Sequence, residues 1–586
     1  MIAVEKLMTD HLDIWTSAIK RKSAAGRGSS KKIGLYGIKK LRELILDLAV
    51  RGLLVSQSPE DEPASQVLKR FAVEKNRLLK EAKIKKEKKL PPIGDEEKPF
   101  DLPEGWAWTR LADIGYNFGQ KTPSGKLTYI DVGSINNKLG LIEPTVIDAE
   151  EAPSRARKIV KAGTVIYSTI RPYLLNIAVI QKDFHPELIA STAFAVVHPF
   201  EGVTSRYLYS YLRSPIFVSY VESVQGGIAY PAINDRQFFS GLFPMPPTDE
   251  QHRIVAKVDE LLALCDNLEH RTEGNLDAHQ TLVETLLGSL TSSADHMQLT
   301  SAWQRIATHF DILFTSEQSI DQLKQAILQL AIMGKLVPQD PTDEPASEHL
   351  KRIAAGKAKL VKEGKIKRDT PLSPIGNDEK PFESPKAWEW VRLEQISTVI
   401  TKGSSPKWQG VEYTDNVEDV LFVTSENIGN FKLLLDSKKY VEKKFNEIEP
   451  RSILKKGDFL MNIVGASIGR TAVFDIDALA NINQAVCLIR AVPDSFSNMF
   501  LLIFFNSSTC IDYMYDKQVD NARANLSMGN IAKFLIPVPP YAEQHRIVAK
   551  VGELMSLCDE LTTRLIDTQI TKTYLADSLS EQAFKR

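Results

Sequence analysis

Cysteine is scarce in this 586-residue chain: Cys265, Cys487, Cys510 and Cys558 stand far apart, with no CxxC pair and no Cys/His cluster. That spacing excludes the usual zinc patterns and a secreted disulfide framework. No apolar run approaches the ~18 residues that cross a bilayer. The first residues carry Glu5, Asp10 and Asp13 instead of the apolar core of a signal peptide, so a cytoplasmic location and no membrane partner are expected. There is no GxGxxG after a strand-like run and no GxxxxGK[ST], hence no signalled dinucleotide or triphosphate cradle. Excess charge is missing as well. With 73 Lys+Arg against 74 Asp+Glu the net charge is −1, which argues against a simple basic DNA-coating protein. What remains, 43% apolar and 25% charged residues with 31 Gly and 30 Pro, describes a folded chain of about four domain-sized units.

The charge is unevenly placed. Residues 69–89 hold ten Lys/Arg against Glu74, Glu81 and Glu87, and 351–368 hold eight against Glu363, while acids gather at 249–284. The basic runs read either as solvated helix faces or as a surface turned to phosphate or to a partner.

An internal repeat organises the chain. Leu41–Ile114 matches Leu323–Ile396 without a gap at an offset of 282, with about 40 of 74 positions identical. Shared landmarks are DEPAS (61–65, 343–347), EKPF (97–100, 379–382) and WxWxRL (106–111, 388–393). A second block, EQHRIVAKV, stands at 250–258 and 543–551, preceded by PxPP and followed by LCD (264–266, 557–559), at an offset of 293. Between the blocks, 115–242 and 397–535 share little beyond scattered glycines. The chain therefore alternates frame and variable module, which predicts a pseudo-twofold molecule presenting two different surfaces in equivalent places.

The frames read as helical. Ile38, Leu41, Ile45 and Leu48, and likewise Ile320, Leu323, Ile327 and Leu330, follow helical spacing, with Gly52 and Gly334 at the expected helix ends. After each PxPP, apolar residues recur four and three apart. The first set is Ile254, Val258, Leu261, Cys265 and Leu268, and the second is Ile547, Val551, Leu554, Cys558 and Leu561. That alternation is a coiled-coil seam in which the cysteines are packing residues. The first seam runs from Ile254 to Leu268 and extends to Leu286, roughly 20–50 Å of helix, comparable with the ~34 Å turn of DNA. Residues 291–301 read as the linker between halves and 23–32 as a loop.

Inside the modules the pattern shifts to short strands (164–170, 193–198, 420–424, 485–490) with helices at 205–221 and 497–514, so each module is a compact α/β unit. Neither carries a defensible catalytic signature. VPPY (538–541) has Val where an amino-methyltransferase loop needs an amide or carboxylate, and its counterpart is MPPT, so a proline stop before a helix is the better reading. Polar recognition chemistry remains, on loops. The first module offers Gln120, Lys121, Thr122, Ser124, Arg171, Tyr173, Gln225, Tyr230 and Asn234. The second offers Lys402, Ser404, Ser405, Lys407, Asn427, Asn462, Ser467, Arg523 and Asn525. Asn, Gln, Arg and Lys pair with base edges and hydroxyls suit phosphates, although Gly, Ser and Asn are also ordinary turn residues.

With LPEGWAWTRL, SPKAWEWVRL and PPxxEQHRIVAKV in place, nearly the full chain resembles the DNA-specificity subunit of type I restriction–modification systems. The resemblance implies two globular α/β target-recognition domains, each reading half of a split double-stranded DNA site, separated by two long antiparallel coiled-coil-like helices. It implies docking of two modification (adenine-N6 methyltransferase) subunits and two restriction (translocase/endonuclease) subunits. S-adenosylmethionine, ATP and Mg would sit on those partners, with no cofactor, metal or catalytic residue here. The implied layout is a helical frame (1–105), first recognition domain (106–246), spacer helix and linker (247–315), second frame (316–387), second recognition domain (388–539) and C-terminal spacer helix (540–586). Two other readings stay open from the residues alone: a stand-alone DNA methyltransferase or nuclease, and a coiled-coil scaffold whose modules bind something other than DNA.

Overall fold

The computed structural model describes residues 4–21, 33–84, 90–227, 230–367, 373–493, 495–516 and 526–584. The chain forms two compact units of similar make-up, residues 1–275 with 569–586, and residues 276–568.

In the first unit the helix Tyr36–Val50 buries Ile38, Leu41, Ile45 and Leu48. It stops where Gly52 adopts a left-handed φ of +70° and Leu53 N–H returns to Leu48 C=O at 2.9 Å, closing the last turn as a glycine cap does. A side chain at Gly52 would also strike the Pro103 ring, 2.5 Å from an added Cβ. The second unit repeats this after Glu317–Ile332: Gly334 has φ +69° and Lys335 N–H reaches Leu330 C=O at 2.9 Å. The Lys-rich segments follow as helices Ala64–Lys80 and Ala346–Lys362.

Each module is pinched at its base by a two-stranded antiparallel sheet of its first and last strands, Ala107–Arg110 with Leu242–Met245 and Glu389–Arg392 with Leu535–Val538. Above the pinch the two modules share a strand plan despite their divergent sequences. In the first, Ile177–Val179, Val165–Ser168, Phe194–Pro199 and Gly115–Tyr116 lie in that order. In the second the order is Thr471–Phe474, Asp458–Asn462, Val486–Ala491 and Ser397–Lys402. Each module also has a second four-stranded sheet containing one parallel pair, Lys126–Ile130 with Leu188–Ser191 and Val420–Val423 with Ala480–Ile482. The helical segments expected at 205–221 and 497–514 are each two helices: Ser205–Leu212 and Pro215–Val224, then Asn498–Phe505 and Ser508–Asp516. Ser214 makes the break in the first, its hydroxyl accepting from Phe217 N–H to start a new helix at Pro215.

The exit from each module is a long helix, Thr248–Thr291 (44 residues) and Tyr541–Gln582 (42 residues), about 66 and 63 Å at 1.5 Å per residue. Residues of the first helix through Asn275 belong to the first unit, and those from Leu276 to the second. The second helix belongs to the second unit until Gln569 and to the first from there. The seam positions are core positions as well. Ile254, Val258, Leu261 and Cys265 are buried in one cluster with Ile38, Leu41 and Ile45 of the frame helix and Leu208 and Leu212 of the module, and Leu268 packs half-buried beside them. Ile547, Val551 and Cys558 are buried, with Leu554 and Leu561 half-buried, in the matching cluster with Leu323, Ile327 and Leu501. These positions are core of their own unit before they are a helix–helix seam. The expected linker is also shorter: the first long helix runs to Thr291 and a helix His296–Thr308 begins, N-capped by Asp295, leaving 292–295 as the connection. The expected loop at 23–32 lies outside the described residues.

All four cysteines are free and buried. Burial pushes the Cys265 thiol up to about 12, and raises Cys487, Cys510 and Cys558 in the same direction, so each is an inert packing group.

Candidate nucleic-acid interface

The repeated motifs build a clasp that presents each module. In the first unit, Glu250 at the start of the long helix accepts from Trp106 Nε1 at 2.9 Å and from Gln57 Nε2 at 3.0 Å. Gln251 accepts from Thr204 N–H at 2.8 Å and donates to Pro246 C=O at 3.2 Å, and Arg253 pairs with Asp61 at 2.6 Å. In the second unit Glu543 accepts from Trp388 at 3.1 Å and Gln339 at 2.8 Å, Gln544 bridges Ser497 N–H and Pro539 C=O, and Arg546 meets Asp343 at 2.6 Å. Arg110–Glu97 and Arg392–Glu379 secure the pinch strand in the same paired way. EQHR and WxWxR thus hold frame, pinch and long helix together. His252 and His545 are exposed. Burial raises the carboxyls of Glu250 and Glu543 above the ordinary glutamate range, opposed by their Gln and Trp donors.

On the first module, two groups of loops come together. Gln120 bridges Lys158 across a short antiparallel contact, Lys121 N–H meets Arg157 C=O at 3.0 Å, Lys121 pairs with Glu187, and Arg157 donates to Thr122. Gln120, Lys121, Thr122 and Ser124 are all exposed. Lys158, nearly buried, donates to Phe194 C=O at 2.6 Å and to Asp235 at 2.8 Å, which ties this group to the next one.

The second group joins 168–175 to 225–234. Ile170 bridges Ala232, Arg171 N–H donates to Pro231 C=O at 2.8 Å, and Ile233 N–H donates to Thr169 C=O at 2.9 Å. Arg171 is exposed and lies over the Tyr230 ring at 5.0 Å, within cation–π range. Tyr173 and Tyr230 are 51% and 68% exposed, with Ile170 and Leu174 open beside them. Gln225 is half-buried, its Oε1 enclosed without a partner among the described residues. Asn234 has a structural duty: its Oδ1 accepts from Gln237 N–H at 2.9 Å as the N-cap of Asp235–Ser240, and Gln237 reciprocates. The base-edge reading of its carbonyl is corrected accordingly.

The second module corrects more of the sequence reading. Asn427 is buried, accepting from Thr424 N–H and donating to the carbonyls of Leu434 and Ser437. Asn462 is wholly buried and donates to Ser425 C=O and to the half-buried Ser467. Ser404 is buried, accepting from Gln409, and Ser405 is half-buried. Asn427, Asn462 and Ser404 shape loops from within, because a polar group in the interior must be bonded there. Lys402 and Lys407 are exposed. Arg523 and Asn525 lie outside the described residues. Sequence reasoning missed Trp408, 74% exposed beside Lys407, and the exposed Arg155 and half-buried Arg157 beside the Gln120 strand. The signals were present as an aromatic next to lysine in a Gly/Ser loop and as alternating base in SRARK (154–158).

Part of the basic frame runs lies outside the described residues (85–89 and 368), and of the described side chains several are engaged with nearby acids: Arg77 with Glu74 and Glu81, Lys75 with Asp113, Lys351 with Glu348, Arg352 with Glu344, and Lys365 with Glu363. Solvated helix faces describe them better than a phosphate track. No metal-holding group of His, Cys, Asp or Glu occurs among the described residues, and no helix there is long and apolar enough to cross a membrane.

Comparison with known proteins finds relatives along nearly the whole chain. The model of the type I restriction modification DNA specificity domain matches twice, over residues 103–276 and 385–572. The chain is 40% identical to the type I restriction enzyme EcoAI specificity subunit of Escherichia coli, over 99% of this chain and 100% of that protein. It is 39% identical to the EcoEI specificity subunit of the same organism, over 99% and 100%. A chain solved in work on complex assembly and conformational transition of the type I R-M system covers 83% of this chain and 99% of its own length, at 22% identity and a TM-score of 0.47.

Proposed function

The chain belongs to the type I restriction–modification DNA-specificity family, and from that premise we propose that each of its two modules reads one half of a bipartite, asymmetric target. Its role is DNA sequence specificity. The observation that carries the two-part reading is the pairing of near-identical clasps with modules that share the strand order of one sheet and carry different loops. A molecule so built offers one binding geometry twice and two chemistries. Base edges are read in the major groove by side chains on such loops, while neighbouring donors hold phosphates.

We further propose that the chain contributes no catalytic group. It docks two modification subunits, which carry S-adenosylmethionine and methylate adenine, and two restriction subunits, which carry ATP and Mg. This chain's own residues bind and orient the DNA. Mapping of methylated sites with the assembled complex tests the reading: a two-part site with unlike halves is expected, and a palindromic site would overturn it. The same chain purified alone is expected to bind DNA weakly or not at all and to methylate nothing when given S-adenosylmethionine. Methylation by the lone chain would return the stand-alone enzyme to first place.

A further inference from the structure

The loop after the second strand of the first module's sheet has a counterpart of equal length in the second module, and the two share a backbone. Within the loops the offset is a constant 294, so that Ser168 N–H to Asn176 C=O matches Asn462 N–H to Arg470 C=O; Thr169 N–H and Ile463 N–H, at the same offset, each reach a carbonyl of the neighbouring strand's approach, Ala193 and Ala485. Leu174 N–H to Arg171 C=O at 3.0 Å matches Ile468 N–H to Gly465 C=O at 3.2 Å. Both loops turn left-handed at the same two places. In the second module those places are Gly465 and Gly469, with φ of +75° and +90°; in the first they are Arg171 and Leu175, with φ of +49° and +51°.

Glycine takes this conformation freely, whereas a residue with a Cβ meets the following carbonyl and is strained. Backbone strain of this kind gathers where a side chain is needed in one place. At Leu175 the side chain is half-buried and packs on the module core. Arg171 has no such use. It is exposed, pairs with no carboxylate among the described residues, and has its guanidinium carbon 5.0 Å from the ring centroid of an exposed tyrosine whose own segment holds the Arg171 N–H. The side chain is fixed at its root by the backbone and steadied at its cationic end by the ring.

We propose that Arg171 is a specificity-determining residue of the first module, reading the O6/N7 edge of a guanine, with Tyr230 as its positioning residue. A planar guanidinium meets that pair of acceptors with two N–H groups held in one rigid fork, whereas a lysine brings a point charge on a flexible stem. The second module, with glycine at the equivalent place, reads its half-site without such a contact. This inference rests on the reading of the modules as half-site readers.

The test maps modification sites of the whole complex on random-sequence DNA for wild type, Arg171→Gly, Arg171→Lys and Tyr230→Ala, with salt-dependent binding and Tm measured beside it. Arg171→Gly is expected to leave Tm unchanged or raised, because glycine suits the loop. It should lose about 5- to 150-fold discrimination at one guanine of one half-site, the range for one bidentate contact. Arg171→Lys keeps the charge but not the rigid fork and is expected to lose part of that discrimination, as is Tyr230→Ala. A fall in Tm for Arg171→Gly would make the residue structural and overturn the assignment. So would a uniform loss across all sequences with a shallower salt slope, the mark of a phosphate contact, or relaxation at a base other than guanine. A wild-type complex with a defined two-part site and an indistinguishable Arg171→Gly variant would sink only the guanine contact. A wild-type complex without any two-part preference would sink the half-site reading beneath it.

Discussion

The two units agree in their frames down to individual atoms and disagree in their modules down to individual side chains. Trp106 and Trp388 donate to Glu250 and Glu543, and Arg253 and Arg546 hold Asp61 and Asp343. In the modules the same strands and turns recur, yet Arg171 answers to Gly465, and Asn234, the helix N-cap, answers to Ser527. The frame is determined by its own packing, since the clasp groups are one another's partners around the buried Trp106–Glu250 and Trp388–Glu543 bonds. The module loops are determined by backbone bonding, which leaves their outward side chains free. A protein that must alter what it reads without altering what it docks to needs that division.

The largest effect expected from breaking the comparison lies in the shared core. Ile254 and Ile547 are both 0% exposed at the same turn of their long helices. Truncation of either to Ala should cost about 2–5 kcal/mol, transfer and cavity together. Denaturant unfolding followed separately in each unit should give matched losses while leaving the methylated sequence unchanged. Loss from one alone would show that the two frames are equivalent in outline only.

The clasp carboxylates come next. Glu250→Ala or Glu543→Ala leaves a buried indole N–H and an amide without their acceptor, a cost of about 1–3 kcal/mol. Their titration has a definite sign. Burial raises both carboxyls in the folded state, so folding favours the protonated form. That contribution is full below the ordinary glutamate value, about 4.3, and is lost as pH rises through the raised folded value. A Gln at these positions cannot ionise. The stability of wild type relative to Glu250→Gln should therefore fall as pH rises from about 4 to 7, and chemical denaturation at several pH values reads it directly. A difference that grows with pH would mean the Trp and Gln donors outweigh burial.

The helix caps sharpen the comparison at a smaller scale. Asn234 Oδ1 and Ser527 Oγ each accept from the N–H three residues on, at 2.9 and 3.1 Å. Either residue changed to Ala should cost about 1 kcal/mol, visible as a modest fall in Tm, with both half-sites still read. A changed base preference in Asn234→Ala would show that its free amide nitrogen also faces DNA.

Those caps also explain how far the sequence was legible. The repeat, the glycine stops at Gly52 and Gly334, the strands at 165–168 and 486–491 and the long helices were readable, because periodicity and duplication are local properties of a sequence. The clasp was not, since Trp106 and Glu250 are 144 residues apart and nothing in either motif names its partner. Among site residues, Asn427, Asn462 and Ser404 misled for a physical reason. An amide or hydroxyl in a Gly/Ser-rich stretch has the same composition whether it bonds its own loop or a base, and only burial separates the two. Arg171 and Tyr230 were legible as types, but their stacking and the strained backbone beneath them appear only in three dimensions.

The smallest effect expected is on the basic frame helices, and its size decides between the two readings of those charge runs. Lys351 and Arg352 are exposed and paired with Glu348 and Glu344 of their own segment. Exposed pairs of this kind contribute little to stability and are screened by salt. If they are solvated faces, Lys351→Gln with Arg352→Gln should leave Tm and the methylated sequence as in wild type. The slope of log affinity against log salt for DNA binding by the assembled complex should also stay the same. A phosphate contact behaves differently, because each one lost releases one counterion fewer and reduces the slope by nearly one. A double change would then lower it by about two. The same substitutions at Lys121 and Lys407 on the module loops give the contrast within one experiment. A reduced slope for the loop lysines and an unchanged one for the frame pair would place DNA on the modules, whereas the reverse would move it onto the frame.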